Sequence, residues 1–214
     1  MTAVPVPVKT VQHPFESVSN PAAEAAFVAL LEGNLRFAND QLQHPHQDAA
    51  RRAEVLAGQS PFAVVVTCSD SRLPPEVIFD QGIGDVFVVR TAGNVLDDIA
   101  LGSIEYAVEH LKTPLVLVLG HQSCGAVTAV AQGGELAGHM ADIAKEIEPA
   151  VAKAKGQPGD LVENAIDENI RAVVERLKTS EPILAGFVKS GALKIAGARY
   201  DLDSGKVTFF KPEP

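Results

Sequence analysis

The chain has 214 residues, a mass of 22.5 kDa and 46% hydrophobic residues, enough to bury the core of one sizeable domain. Its net charge of −9 and sequence pI of about 5.1, with Lys and Arg scattered, exclude a dedicated nucleic-acid surface and point to a small-molecule substrate. No run of 18 apolar residues offers a membrane span, and prolines interrupt the apolar N-terminus where a signal peptide needs a continuous core, so the expected location is cytoplasmic.

Residues 1–20 are proline-rich and without periodicity, and are expected to form an N-terminal arm, partly disordered, ahead of a single domain over 21–214. From Asn20 the segment "NPAAEAAFVALLEGNLRFAND" carries a capping Asn, Pro at the first helical position and apolar residues at helical spacing, which predicts an amphipathic helix. Four apolar runs follow: "FAVVVT" (62–67), "DVFVVR" (85–90), "LVLVLG" (115–120) and "ALKIAGARY" (192–200). The segments between them read as helices over 74–80, 97–111, 124–132, 139–155 and 162–189, with a break at "GQPGD". Near-continuous Val, Ile and Leu runs separated by helices predict an α/β fold with a mostly parallel sheet covered on both faces. The turn "DLDSG" between two strand-like runs predicts an antiparallel C-terminal edge.

The chemistry-bearing residues fall at two strand ends. Cys68 follows the first apolar run, and His121 and Cys124, three apart, follow the third. In open α/β sheets such ends converge where the strand order reverses, so both clusters are expected to face one crevice. Two thiolates and one imidazole suit tetrahedral Zn²⁺, and three protein ligands leave a fourth position open, as a catalytic site requires. With only two cysteines in a domain this size, a lone disulfide is the weaker reading.

In "CSDSR" (68–72) an extended backbone would put Cys68, Asp70 and Arg72 on one face, where Arg72 holds Asp70 ionised beside the open position. An aspartate so held accepts a hydrogen bond from a metal-bound water and orients it toward an electrophile. Two thiolates cancel the ion's charge, so that water is expected to ionise above roughly pH 7 and activity to rise toward alkaline pH. Without Cys68 alongside, Asp70 and Arg72 would read as a surface ion pair. The other histidines, His13, His44, His46, His110 and His139, have no ligating spacing, and Gly82 and Gly84 precede a strand, which fits turn chemistry and not a phosphate loop.

"CSDSR" followed by "GHQSCGAV" (120–127) resembles the β-class carbonic anhydrases, and the likeness extends through "AGQSP", "DQGIGDVFVVRTAGN" and "GSIEYAV". The resemblance implies Cys68, His121 and Cys124 as zinc ligands, one Zn²⁺ per chain, and Asp70 with Arg72 as the catalytic pair. It implies substrate contacts from Gln59, across a dimer interface, and from Gly125, with an apolar CO2 pocket at Phe87, Ala92 and Tyr106. Ala92 replaces a frequent valine, and Ala126 a second glycine. It further implies reversible hydration of CO2 to bicarbonate by a homodimer or homotetramer, the N-terminal helix embracing a neighbour. The chain has no tryptophan, so the resemblance implies the open form at neutral pH, with Asp70 on Arg72 and not on the metal. Hydrolysis of carbonyl sulfide or carbon disulfide on the same scaffold is one alternative, and a non-catalytic zinc or redox sensor is another.

Overall fold

The computed structural model describes residues 20–133 and 136–211, so all of the expected arm but Asn20 lies outside the described residues. Among these residues five strands form one sheet: β1 (Ala63–Cys68), β2 (Val86–Thr91), β3 (Leu115–His121), β4 (Lys194–Tyr200) and β5 (Val207–Phe209). Their order is β2-β1-β3-β4-β5, parallel except for the antiparallel β4-β5 pair, as the sequence predicts.

Every residue of β1 and β3 is buried, which is why these runs show no polar alternation. Val116, Leu117, Val118 and Leu119 are fully buried, each contributing roughly 1.5–3 kcal/mol of hydrophobic stabilisation. The chain leaves β1 toward β2 and returns to β3 on the other flank, so the order reverses at β1. The carboxyl ends of β1 and β3, carrying Cys68 and His121, therefore lie side by side at the switch point.

Among the described residues eight α-helices flank the sheet: α1 (Pro21–Ala38), α2 (Ala49–Glu54), α3 (Pro75–Ile78), α4 (Asp98–Glu109), α5 (Gly125–Ala131), α6 (Met140–Ala154), α7 (Leu161–Lys178) and α8 (Leu184–Lys189). Asn20 caps α1, its side chain accepting from the Ala23 N–H, so the first residue outside the arm starts the helix. The buried face of α1 includes Phe27, Leu30 and Leu31, with the Phe27 ring edge-on to Phe209 at 4.8 Å. That face is covered within the chain, so its apolarity does not by itself call for a neighbour.

Two helix assignments are corrected. The expected helix over 162–189 is two helices, because Pro182 lacks the N–H needed to continue the turn. Helix α2, unforeseen, is short with no buried residue and so has no apolar stripe to betray it; the Asp48 side chain caps it.

Candidate active site

Cys68 is the last residue of β1 and His121 the last of β3; Cys124 is the N-cap of α5. All three are buried, and their ligand atoms lie within 4.8 Å of one another. The turn joining His121 to Cys124 is tied on two sides. Gln122 donates its N–H to the Tyr200 carbonyl at 3.0 Å and accepts from the Leu202 N–H at 3.1 Å. Ser123, at φ 53°, donates its N–H to the Glu163 carboxylate at 3.1 Å.

His121 Nδ1 lies 2.9 Å from the Gln122 carbonyl, which can only accept, so the ring proton sits on Nδ1 and the lone pair on Nε2. Nε2 is fully buried and has no hydrogen-bond partner. A buried acceptor left unpaired costs free energy, and here it faces two sulfurs. A hydrogen bond from Cys124 lowers the Cys68 thiol pKa against the raising effect of burial, with smaller help from His121 and the Asp70 and Gly93 N–H groups. The same bond to Cys68, together with burial, raises the Cys124 thiol. A cation between the two sulfurs would let both ionise, since a coordinating thiol is deprotonated. Orphaned Nε2 and paired thiols thus fit a tetrahedral, thiolate-binding metal ion.

Asp70 sits beside this cluster with Oδ2 3.9 Å from His121 Nε2. Arg72 donates from Nε to Oδ1 at 2.9 Å and from Nη2 to Oδ2 at 2.7 Å, and the Arg72 backbone N–H adds a bond to Oδ1 at 2.9 Å. These bonds, the side-chain one foremost, hold the Asp70 carboxyl well below the usual carboxylate range. The pairing arises from a turn and not from the expected extended segment: the Leu73 N–H bonds the Asp70 carbonyl at 3.0 Å, closing a β-turn over 70–73. Extended backbone ends at Cys68, where β1 pairing stops.

The expected substrate residues divide between two ends of the sheet. Ala92 lies in a short 3₁₀ turn (Ala92–Asn94) immediately after β2, at the ligand end, and Gly125 opens α5 with open space around its Cα. Phe87 pairs in register with Val64, four residues before Cys68 and so about 13 Å from it along β1. Tyr106, 46% exposed, sits with Phe87 at a ring separation of 6.5 Å, and Gln59 is exposed on the loop before β1. One protomer alone therefore does not gather Gln59, Phe87 and Tyr106 at the ligand cluster.

Sequence reasoning missed Arg90 and Gly93. Arg90 donates to the carbonyls of Cys68 and Asp70 at 3.0 and 2.6 Å, and the Gly93 N–H donates to Cys68 Sγ at 3.2 Å. A charge ending the apolar run "VFVVR" of the half-buried strand β2 was the available signal for Arg90. Gly93 had only its glycine, needed at φ 70°. His46, unassigned by spacing, is within 2.8 Å of the Asp85 carboxylate, away from the cluster. Gly84, at φ 81°, lies in the turn closed by the Asp85 N–H on the Gly82 carbonyl at 3.2 Å, as expected, whereas Gly82 is required by close packing, since a Cβ there would lie 2.1 Å from the Pro45 carbonyl oxygen.

Comparison with known proteins places the chain in a family. The family model for carbonic anhydrase matches residues 63–207. Carbonic anhydrase 2 of Mycobacterium tuberculosis is 42% identical over 192 residues, covering 88% of this chain and 92% of that protein. A β-carbonic anhydrase of Aspergillus fumigatus superposes with a TM-score of 0.67 at 29% identity, covering 88% of this chain and 92% of that one. A tetrameric β-carbonic anhydrase of Sordaria macrospora, at 24% identity, shares the fold with a TM-score of 0.71, covering 87% and 97%. With its Cys-His-Cys cluster at the switch point of a mostly parallel sheet, the chain belongs to the carbonic anhydrase family and is a β-class member of it.

Proposed function

We propose that residues 21–214 form one catalytic domain that reversibly hydrates CO2 to bicarbonate and a proton, using Zn²⁺ held by Cys68, His121 and Cys124. The observation that carries this reading is the buried, unpartnered Nε2 of His121 facing two cysteine sulfurs beside an arginine-held aspartate. Zn²⁺, when bound there, supplies the Lewis acid that ionises water, and because two thiolates cancel its charge that ionisation falls on the alkaline side of roughly pH 7.

Asp70, kept ionised by Arg72, can only accept hydrogen bonds. It therefore orients a water that donates to it and rejects molecules without a donor. Ala92 forms part of an apolar wall for a substrate with no net dipole, held by dispersion and desolvation alone. The Gly125 N–H, at the start of α5, is free to face a bicarbonate oxygen.

A second copy of the chain supplies Gln59, Phe87 and Tyr106, which one protomer keeps at the far end of β1. Ile99 (79% exposed) and Tyr106 (46%), seven residues apart on one face of α4, support an apolar strip that a partner covers, in a homodimer or a pair of dimers. Free, buried cysteines suit a reducing cytoplasm, and no helix of the described residues is long and apolar enough to cross a membrane.

The test is stopped-flow CO2 hydration by protein of known zinc content between about pH 6.5 and 9, a span that brackets ionisation of the water. Turnover rising with pH, lost on chelation and restored by Zn²⁺, is the expected result. Fully zinc-loaded protein that leaves CO2 untouched but hydrolyses carbonyl sulfide or carbon disulfide overturns the substrate assignment, and zinc-loaded protein inert to all three overturns the enzyme reading.

A further inference from the structure

Helix α7 packs an apolar face against the sheet, with Ala165, Ile166, Ile170, Val173, Val174 and Leu177 buried. In the middle of that face stands Asn169, 2% exposed. A buried carboxamide among aliphatic side chains costs free energy unless its polar atoms are satisfied, and an apolar residue would pack there at no such cost. Asn169 Nδ2 donates to the Gly93 carbonyl at 2.8 Å, across 76 positions of sequence. Because a carbonyl accepts only, the amide's orientation is fixed by that contact.

Gly93 is the centre of the 3₁₀ turn after β2, at φ 70° and ψ 17°. A Cβ added there would come within 2.8 Å of Ile147 Cδ1 and 3.2 Å of Ala126 Cβ, so the turn is also confined from α5 and α6. Its own N–H points to Cys68 Sγ at 3.2 Å. The peptide units on either side of one α-carbon are thus engaged, one by Asn169 and the other by the thiolate.

We infer that Asn169 is a positioning residue for Cys68: by gripping the Gly93 carbonyl it fixes the turn so that the Gly93 N–H donates to the sulfur. An N–H···S bond withdraws electron density from the thiolate and tunes its strength as a ligand, as groups hydrogen-bonded to metal ligands do. The inference rests on the metal-site reading for its consequence, but its geometry belongs to the protein alone.

The test compares Asn169→Leu, close in size but without a donor, and Asn169→Ala, which cannot overpack, with Val173→Ala, one turn further along α7, as a control for general loosening. Two readouts are taken: hydrogen exchange of the Gly93 amide by NMR, and the thiolate-to-cobalt charge-transfer band of the Co²⁺-substituted protein. Both Asn169 variants are expected to speed Gly93 exchange about fivefold, the factor that loss of one hydrogen bond of ordinary net worth gives. They are also expected to move the band to longer wavelength, while Val173→Ala lowers the melting temperature and moves neither. Unchanged exchange and band in the Asn169 variants, or equal changes in Val173→Ala, would overturn the inference. Wild-type protein that takes up no cobalt would instead overturn the metal reading, and Gly93 exchange in the metal-free protein would still decide the role of Asn169.

Discussion

Arg72 holds both oxygens of Asp70, and in doing so leaves Oδ2 3.9 Å from His121 Nε2. The carboxylate is turned toward its arginine yet stays within one water's reach of the ligand cluster. Asp70→Asn preserves shape but can donate as well as accept, so it no longer selects a donor or orients one. Metal content is expected to stay near one per chain while CO2 hydration falls by about 10²-fold or more, the usual worth of a positioned proton-handling group. Wild-type rates in Asp70→Asn, measured by stopped flow on metal-quantified protein, would remove Asp70 from the mechanism.

The separation of the proposed substrate residues between the two ends of β1 leads to a complementation prediction for the proposed homodimer. Gln59→Ala and Asp70→Ala are each expected to be nearly inactive as homodimers. Mixed and re-associated, half of the dimers are hybrids, and each hybrid has one site that draws an intact Asp70 from one protomer and an intact Gln59 from the other. About a quarter of wild-type activity should return, as follows from a two-fold interface that pairs unlike copies at random. Activity no higher than the mean of the two parents would mean that each protomer completes its own site.

The sheet and the clustering of Cys68, His121 and Cys124 were legible because their signals are local and strong. β1 and β3 are buried on both faces and so read as unbroken Val and Leu runs, and a His-x-x-Cys at one strand end with a Cys at the next has few bland explanations. The Asp70–Arg72 pair was legible as a pair and misread as geometry: residues two apart share a face in a strand, but they also meet across a β-turn, and spacing alone does not distinguish the two. Asn169 and Gly93 were not legible, since one is a single polar residue within a helical apolar stripe and the other one of 17 glycines. Their relation exists only once α7 is laid against the turn after β2. The division of Gln59, Phe87 and Tyr106 from Ala92 depends in the same way on strand register, which no run of residues encodes by itself.

Acid stability is expected to depend on Asp80, whose side chain is 1% exposed. Burial alone would raise its pKa, but Arg36 at 2.6 Å and the Gln43 and His44 N–H groups outweigh that and hold it below the ordinary value. A folded-state pKa below the unfolded one, about 3.9, means stability that is fully present above that pH and lost as pH falls through the folded value. Asp80→Asn should cost about 1–3 kcal/mol at neutral pH, the typical penalty for breaking a buried charge-assisted network. The gap between wild type and variant in urea denaturation should narrow as pH drops below about 3.9. A gap constant with pH would mean that Asp80 contributes by packing and not by charge.

Gly120 immediately precedes His121, a proposed metal ligand, and a Cβ at that position would lie 2.5 Å from both Cγ1 and Cδ1 of Ile170 on α7. Gly120→Ala therefore forces either the isoleucine off its rotamer or β3 away from α7, an overpacking cost of about 1–3 kcal/mol. Because His121 is the next residue, the strain is also expected to weaken metal retention against a chelator. Ile170 is fully buried, so Ile170→Ala alone opens a cavity and costs about 2–5 kcal/mol. In the double variant the added methyl enters space that the shortened side chain has vacated, and each lesion relieves the other. The double variant should be more stable than the sum of the two losses allows, by about 1 kcal/mol or more, as contacting residues in a shared cavity do. Urea denaturation of all four proteins measures that coupling. Additive losses, with metal retention still impaired in the double variant, would mean that the contact with Ile170 is not what destabilises Gly120→Ala; coupled losses with retention restored would place the strain at that contact.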